Sequence, residues 1–254
     1  MTVYDINGIS LYDSACKGKT LSILGDSIST YAGYIPSGNA NWYTGSNCGV
    51  SSVNDTWWMK VINAFGMTLN LNNSWSGSRV TTTNGTNSAG CMTRCQNLGT
   101  NPDVIIVYMG INDFNNEVAL GTYDGNGDFP TVTTTFREAY AIMLDKILTA
   151  YPTSEVWVAT LPSCEKNGSV GAPEKNGNGV LLDDFNKAIR NLAQVFGAKI
   201  LDHAQCGLTY ENMSIYMGDW ASSGSTGLHP NAAGHSLIAN NDIRQMDASC
   251  TKRY

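Results

Sequence analysis

Four short segments of the chain carry residue types that could together perform nucleophilic chemistry. The first is Gly25-Asp26-Ser27, where a serine hydroxyl follows an apolar run. A hydroxyl is a weak nucleophile until a base takes its proton. Taken alone, the segment is typical of a helix N-cap, a role that Asp26 and Ser27 both suit. Ser27 therefore becomes a candidate nucleophile only if the other segments supply its partners.

A histidine is the first choice for the base, and the chain has three. His229 lies in the segment GLHPN at the predicted start of the last helix, a position that suits a general base. His203 follows the last predicted strand, and His235 lies inside the last helix, so we expect packing or surface roles for both. His229 is the predicted base.

Two further segments offer hydrogen-bond donors for a developing oxyanion. Gly77 lies in the run NSWSGS, and a glycine there lets a backbone N–H approach a ligand closely. Asn112 lies in the run GIND after an apolar strand, where its side-chain NH₂ can donate to an oxyanion. Each segment is also compatible with an ordinary turn, so the prediction depends on the order of all four along the chain.

The elements that must position these segments alternate between apolar runs and helical patterns, which is typical of a parallel α/β sheet. Ligands bind at the C-terminal ends of the strands in such sheets, where the four segments lie. The pattern predicts strands at 21–24, 67–71, 104–108, 155–161 and 198–201, and helices at 55–65, 134–150, 180–196 and 231–246. The helix at 180–196 has an apolar stripe predicted to be buried: Leu181, Leu182, Phe185, Ile189, Leu192 and Val195.

Composition restricts the classes of partner. The chain has 254 residues, of which 42% are hydrophobic and 14% charged, and its net charge is −6. The absence of a Lys/Arg cluster argues against nucleic acid as a partner. No apolar run is long enough to span a bilayer. No linker divides the chain, so we expect one domain over 1–254, with an N-terminal extension at 1–18.

The sequence predicts no metal site. The seven cysteines contain no C-x-x-C pair, which argues against zinc. Free thiols are favoured, with a disulfide among some of them as the alternative. The run DGNGD at 124–128 resembles a turn more than a calcium loop, because the remaining spaced ligands are missing.

The N-terminal sequence leaves the cellular location open between two alternatives. It lacks a basic region followed by an apolar region. Either the protein stays inside the cell, or it is exported and a signal peptide or neighbouring domain is absent from this sequence.

The order of the four segments resembles that of the SGNH (GDSL-type) hydrolases, and the resemblance runs from about Leu21 to the final helix. It implies a flavodoxin-like three-layer α/β/α sandwich with a central parallel five-stranded sheet. It implies that Ser27 is the nucleophile and His229 the base, and that the N–H of Ser27, the N–H of Gly77 and the side chain of Asn112 form an oxyanion hole. The implied reaction is two-step acyl transfer from an ester, with no metal or organic cofactor.

One position departs from the family pattern, which reads D-x-x-H before the catalytic histidine. Here Thr226 occupies the position of the aspartate. Such an aspartate fixes the imidazole tautomer and stabilises the imidazolium, whereas threonine carries no charge. Three alternatives follow: a Ser-His dyad oriented by a backbone carbonyl, a substitute carboxylate of which Asp219 is nearest in sequence, or a weakened site. A dyad or a substitute is favoured, because the other elements are present.

Aromatic residues near these segments indicate the substrate class. Trp42 and Tyr43 in the long loop 31–52, and Trp75 beside Gly77, are candidates for contact with a sugar ring. Anchoring of a long loop explains the same residues equally well. We predict a small-molecule or carbohydrate ester with a short acyl group, such as acetate. The alternatives are a short-chain lipase or thioesterase, and a non-catalytic carbohydrate-binding protein on the same fold.

Overall fold

A parallel sheet forms the centre of the protein in the computed structural model, which describes residues 14–164, 174–220 and 227–249. Within these ranges the strands are β1 Thr20–Gly25, β2 Thr68–Asn72, β3 Val104–Tyr108, β4 Glu155–Ala159 and β5 Lys199–Leu201. The helices of the same ranges are α1 Trp57–Phe65, α2 Ile111–Asn115, α3 Phe136–Ala150, α4 Leu182–Phe196, α5 Met213–Tyr216 and α6 Ala232–Ser249.

The order of the strands explains why helices cover both faces of the sheet. Hydrogen bonds join the strands in the order β2-β1-β3-β4-β5, and every neighbouring pair is parallel. The chain first moves from β1 to β2, then returns past β1 and continues through β3 to β5. Because parallel crossovers are right-handed, this reversal puts α1 on the opposite face from α3 and α4. The packing agrees, since α1 contacts α6 and α3 contacts α4. The predicted flavodoxin-like α/β/α sandwich with five parallel strands is confirmed.

The apolar runs that predicted strands form the middle of the sheet. All five residues of β3 are buried, as expected for a strand covered on both faces. Ile23 of β1 pairs with Ile106 of β3, and the two strands remain in register to their C-terminal ends. The segments that follow β1 and β3 therefore leave the sheet side by side.

Helix ends follow the local capping residues. The helix predicted at 55–65 begins at Trp57, because Val53–Asp55 forms a separate 3₁₀ turn and the Thr56 side chain accepts the N–H of Met59. Gly66, with φ of 64°, ends it in the left-handed conformation.

The prediction that α4 buries its whole apolar stripe is wrong at one residue. Phe185, Ile189 and Leu192 are buried as predicted, but Val195 is 45% exposed. At about 100° per residue, Val195 lies about 80° around the helix from Phe185 and so falls at the margin of the buried face.

The predicted N-terminal extension lies largely outside the described residues. Its described part includes Cys16, which is buried in the core. Within the described ranges, no helix combines the length and apolar character needed to cross a membrane.

Candidate active site

Ser27 lies just beyond β1, in the first position of a 3₁₀ turn at Ser27–Ser29. Asp26 caps this turn, and its Oδ1 accepts the N–H of Ile28 at 3.0 Å. Gly25 has no room for a side chain, because a Cβ there would lie 2.6 Å from the side chains of Ser29 and Ser74. The strand therefore turns tightly at its end, and Ser27 follows this turn.

Both ring nitrogens of His229 have hydrogen-bond partners. Nε2 is 2.8 Å from the Oγ of Ser27, and Nδ1 is 2.7 Å from the Oδ2 of Asp219. The Oδ1 of Asp219 accepts the backbone N–H groups of Leu228 and His229, at 3.1 and 3.0 Å. Ser27 is 3% exposed and His229 6% exposed, so the pair is largely shielded from water. One carboxylate thus fixes both the loop and the imidazole.

Asp219 makes the contact with Nδ1 of His229 that the family pattern assigns to an aspartate at position 226. An antiparallel bridge between Met217 and Pro230 brings the two segments together, and the N–H of Gly218 donates to the carbonyl of His229 at 2.8 Å. Of the three alternatives weighed from the sequence, this geometry agrees with a substitute carboxylate. Thr226 lies outside the described residues.

The loop that carries Gly77 is joined to α2. Gly77 has a φ of 76°, which favours glycine, and open space surrounds the position of a Cβ there. Asn112, in α2 and 8% exposed, donates from Nδ2 to the carbonyl of Ser78 at 3.0 Å. The structure therefore brings the two predicted oxyanion donors into neighbouring segments at the ends of β2 and β3.

Asp113 makes a second connection between α2 and this loop. Its carboxylate accepts the N–H of Val80 at 2.8 Å, the N–H of Thr81 at 3.1 Å and the hydroxyl of Thr81 at 2.8 Å. No role for Asp113 is predicted from the sequence. Its position next to Asn112 in the run GIND was the available signal.

A buried arginine ties β1 to β2 at their C-terminal ends. Arg94 is 4% exposed, and its Nη2 donates to the carbonyls of Gly25 and Asn73 at 2.8 and 2.6 Å. Its Nη1 donates to the carbonyl of Ser88. Burial lowers the pKa of Arg94 to about 10. The role of Arg94 is not predicted from the sequence, because a single arginine in a polar segment gives no periodic signal.

Two buried carboxyl groups beside the site have raised pKa values. Burial raises the pKa of Asp26 to about 7, although the N–H of Ile28 and the charge of Arg94 favour the ionised form. Burial also raises the pKa of Asp113 to about 6, against the opposing effect of the hydrogen bonds from Val80 and Thr81. Both groups therefore change charge close to neutral pH.

The three aromatic candidates for substrate contact have different surroundings. Trp42 is half-buried and its ring stacks on that of His229, with centroids 3.8 Å apart. Trp75 is half-buried beside Gly77. Tyr43 is fully buried, and its hydroxyl donates to the carbonyl of Pro230 at 2.9 Å. A substrate-binding role for Tyr43 does not fit this burial, which agrees instead with the loop-anchor alternative.

The other two histidines pack inside the protein. His203 Nε2 lies 2.7 Å from the Oδ1 of Asp242, and both side chains are fully buried. His235 Nδ1 accepts the backbone N–H of Trp57 at 3.3 Å, and burial lowers the pKa of His235 to about 3. Neither is suited to exchange a proton with a substrate.

The structure also tests the predictions of free thiols and of a turn at 124–128. Cys48, Cys91, Cys95 and Cys206 are free thiols, and Cys250 lies outside the described ranges. The Oδ1 of Asp124 accepts the backbone and side-chain N–H groups of Asn126, both at 3.0 Å, which is a turn arrangement. In the part of the chain that the structure describes, no three His, Cys, Asp or Glu side chains form a group that could hold a metal ion.

Known proteins share both this sequence pattern and this fold. The family model described as GDSL-like lipase/acylhydrolase matches residues 19–168, more than half of the chain. A protein from Bacteroides ovatus called a GDSL-like lipase is 28% identical, with a TM-score of 0.68 over 92% of this chain and 100% of that one. Its counterpart from Bacteroides uniformis is 26% identical, with a TM-score of 0.66 over 89% and 94%.

A more distant structure shares the fold alone. It is a family 3 carbohydrate esterase from Clostridium thermocellum, 14% identical, with a TM-score of 0.56 over 92% of this chain and 100% of that one. No curated protein is significantly similar in sequence. From the family match and the arrangement of its strands and site residues, we conclude that the chain belongs to the GDSL-like lipase/acylhydrolase family.

Proposed function

We propose that the protein is a serine esterase that hydrolyses short-chain acyl esters through an acyl-enzyme. The observation that carries this proposal is the hydrogen-bonded series from Ser27 through His229 to Asp219. As the Oγ of Ser27 attacks the carbonyl carbon, its proton passes to Nε2 of His229. Asp219 keeps the other proton on Nδ1 and offsets the charge of the imidazolium.

Three donors hold the negative oxygen that forms in this step. They are the N–H of Ser27, the N–H of Gly77 and the side-chain NH₂ of Asn112. An amide nitrogen carries two hydrogens, and the carbonyl of Ser78 takes one from Asn112, which leaves the second for the oxyanion. Each donor contributes about 3 kcal/mol to the transition state. The alcohol then leaves with the proton from His229, and water hydrolyses the acyl-enzyme.

We further propose an O-acetyl group on a carbohydrate as the substrate. The low exposure of Ser27, His229 and Asn112 favours a small acyl group. The half-buried ring of Trp75 next to Gly77 supports a sugar on the alcohol side. The carbohydrate esterase with the same fold adds support from outside this chain. A lipase or thioesterase would use the same catalytic residues and differ in the ester it prefers, with a longer acyl chain for the lipase and a thiol leaving group for the thioesterase.

A covalent serine probe combined with ester hydrolysis tests the proposal. We expect a fluorophosphonate to label the parent protein and the Ser37→Ala control, whose serine is exposed, but not Ser27→Ala. We expect hydrolysis of p-nitrophenyl acetate to exceed that of the octanoate, and acetate release from acetylated xylo-oligosaccharides. Sugar binding without labelling would instead identify a non-catalytic carbohydrate-binding protein. Faster cleavage of the octanoate would identify a lipase.

A further inference from the structure

The indole of Trp42 lies face to face with the imidazole of His229. The two ring centroids are 3.8 Å apart and the ring planes differ by 13°. Rings this close leave no space for a sugar between them. The indole face toward His229 is therefore occupied by the base itself.

Several hydrogen bonds hold Trp42 in this position. Its backbone N–H donates to the Oγ1 of Thr30 at 3.0 Å, and its carbonyl accepts from the Nδ2 of Asn47 at 2.8 Å. Its Nε1 donates to the Sγ of Cys48 at 3.4 Å. Thr30 also donates its hydroxyl to the carbonyl of Ser27 at 2.8 Å. The indole is thus connected to the turn that carries the proposed nucleophile.

The face of an indole carries negative electrostatic potential, so it attracts a cation more strongly than a neutral ring. In the proposed reaction His229 becomes a cation when it takes the proton of Ser27, and it returns to neutral when that proton passes to the leaving alcohol. A stacked indole therefore stabilises the imidazolium form of His229 more than the neutral form. Stabilising a charge that forms during the reaction more than the starting state is the condition for a catalytic effect.

We propose that Trp42 is a positioning residue that holds the His229 ring against Ser27 and stabilises its imidazolium form. The inference rests on the proposed esterase function. It assigns Trp42 to the proton-transfer step rather than to recognition of a sugar.

The other ionisable groups around His229 define what a pH measurement reports. Asp219 is hydrogen-bonded to Nδ1. Burial raises the pKa values of Tyr43 and Cys48 in the loop 31–52 above their ordinary values. Both groups therefore stay neutral at every pH below those ordinary pKa values. His235 of α6, with its pKa lowered to about 3, is neutral as well.

Asp26, beside Ser27, has a pKa of about 7, so it titrates within the pH range in which the kcat/KM profile would be measured. Its titration is present in the parent and in every Trp42 variant. Every Trp42 variant also loses the hydrogen bond from Nε1 to Cys48, which lowers the pKa of that thiol, so Cys48 stays neutral without it. The difference between Trp42→Phe and Trp42→Leu, which both lack this bond, therefore reports the contact of the aromatic face with His229.

Two substitutions separate the aromatic face from simple bulk. Trp42→Phe retains a smaller aromatic face, whereas Trp42→Leu retains apolar volume without one. Tyr34→Leu is the control, because Tyr34 is an exposed aromatic of the same loop whose ring contacts are with Tyr31 and Trp58. We expect kcat for p-nitrophenyl acetate to fall about tenfold in Trp42→Leu and about threefold in Trp42→Phe, with little change in KM. The acidic limb of the kcat/KM profile should move to lower pH in the same order.

Proton NMR of the histidine rings gives a readout that does not depend on hydrolysis. With three histidines, the signals of His229 are identified by their loss in His229→Asn. We expect them to lie upfield in the parent, under the indole ring current, and to move downfield in Trp42→Leu. The titration midpoint of His229 should fall from the parent to Trp42→Phe to Trp42→Leu.

The outcomes distinguish the inference from the proposed function. A raised KM for acetylated xylo-oligosaccharides with unchanged kcat for p-nitrophenyl acetate would make Trp42 a sugar contact and overturn the inference. Equal midpoints in the three proteins would overturn it as well. Failure of the parent to hydrolyse any ester, with the NMR order as expected, would reject the esterase and the catalytic part of the inference while retaining the ring contact.

Discussion

The imidazole of His229 carries its proton on Nδ1, and leaves Nε2 free to accept, only if Asp219 remains a carboxylate. The Oδ1 of Asp219 is held by the backbone N–H groups of Leu228 and His229, so Oδ2 must face Nδ1. In Asp219→Asn the amide oxygen would keep the backbone bonds and the NH₂ group would face Nδ1. The ring would then carry its proton on Nε2 and could not accept the proton of Ser27.

We therefore expect Asp219→Asn to lower kcat for p-nitrophenyl acetate about 10³-fold or more. Steady-state kinetics measure the loss. Asp183→Asn is the matched control, since Asp183 is an exposed carboxylate paired with Lys187 on α4. A loss below tenfold in Asp219→Asn would mean that the backbone alone orients the ring.

Thr226 stands where the family pattern has its aspartate, yet the structure gives the Nδ1 of His229 a partner already. A second carboxylate has no free ring nitrogen to accept from. We expect Thr226→Asp to give no gain in kcat in the assay used for Asp219→Asn. An increase above about threefold would show that Asp219 serves the base incompletely.

Arg94 is a buried connection between elements. Its guanidinium donates to the carbonyls of Gly25 and Asn73, at the ends of β1 and β2, and to that of Ser88. The carbonyl of Gly25 also accepts the N–H of Trp75, so the carbonyls of Asn73 and Ser88 depend more on Arg94. Each buried carbonyl left without a donor costs about 1–3 kcal/mol.

We expect Arg94→Met to lower the free energy of unfolding by about 3 kcal/mol or more, as measured by urea denaturation. Arg244→Met is the control, because Arg244 is exposed and its Nε donates to a carbonyl of its own helix. A loss in Arg94→Met no larger than that of the control would mean that water replaces the guanidinium at these carbonyls.

The sequence predicted the elements whose pattern is long enough to repeat. The buried strand at 104–108 and the helices α1, α3, α4 and α6 appear within about three residues of their predicted ends. The five residues of α2 are too few to show helical periodicity, so the sequence predicts no helix there. Asp219 was one of three alternatives, because its contact depends on the bridge between Met217 and Pro230, and no local pattern encodes that bridge. The stacking of Trp42 on His229 depends on a loop conformation, which no local sequence pattern encodes either, so it could not be predicted.

The stability of the whole molecule should depend on pH through its buried acids. The pKa of Asp26 is about 7 in the folded protein, against an ordinary value of 3.8. Between these values the folded state keeps a proton that the unfolded state releases, so the contribution of Asp26 to stability falls as pH rises through the interval and levels off above about 7. Asp113, with a pKa of about 6, acts in the same direction. His235, whose pKa burial lowers from 6.5 to about 3, acts in the opposite direction between those two values.

We expect Asp26→Asn to remove the contribution of Asp26 to this dependence. Its Tm should rise relative to the parent between pH 4 and pH 7.5, as followed by differential scanning calorimetry. Asp113 is present in both proteins and cancels in the comparison. Asp145→Asn, at an exposed position of α3, is the control. A difference in Tm between Asp26→Asn and the parent that stays constant with pH would contradict the assignment to Asp26.

The base and the nucleophile come from positions 202 residues apart, and α6, which follows the base, packs against α1. A ribosome makes the nucleophile and the oxyanion donors first, in the order of the chain, and His229 long afterwards. A nascent polypeptide that ends before His229 would therefore lack the base, and the face of α1 that packs against α6 would be uncovered. Under the proposed function, hydrolysis would begin only after α6 has been made, because the same stretch of chain covers α1 and brings His229 to Ser27.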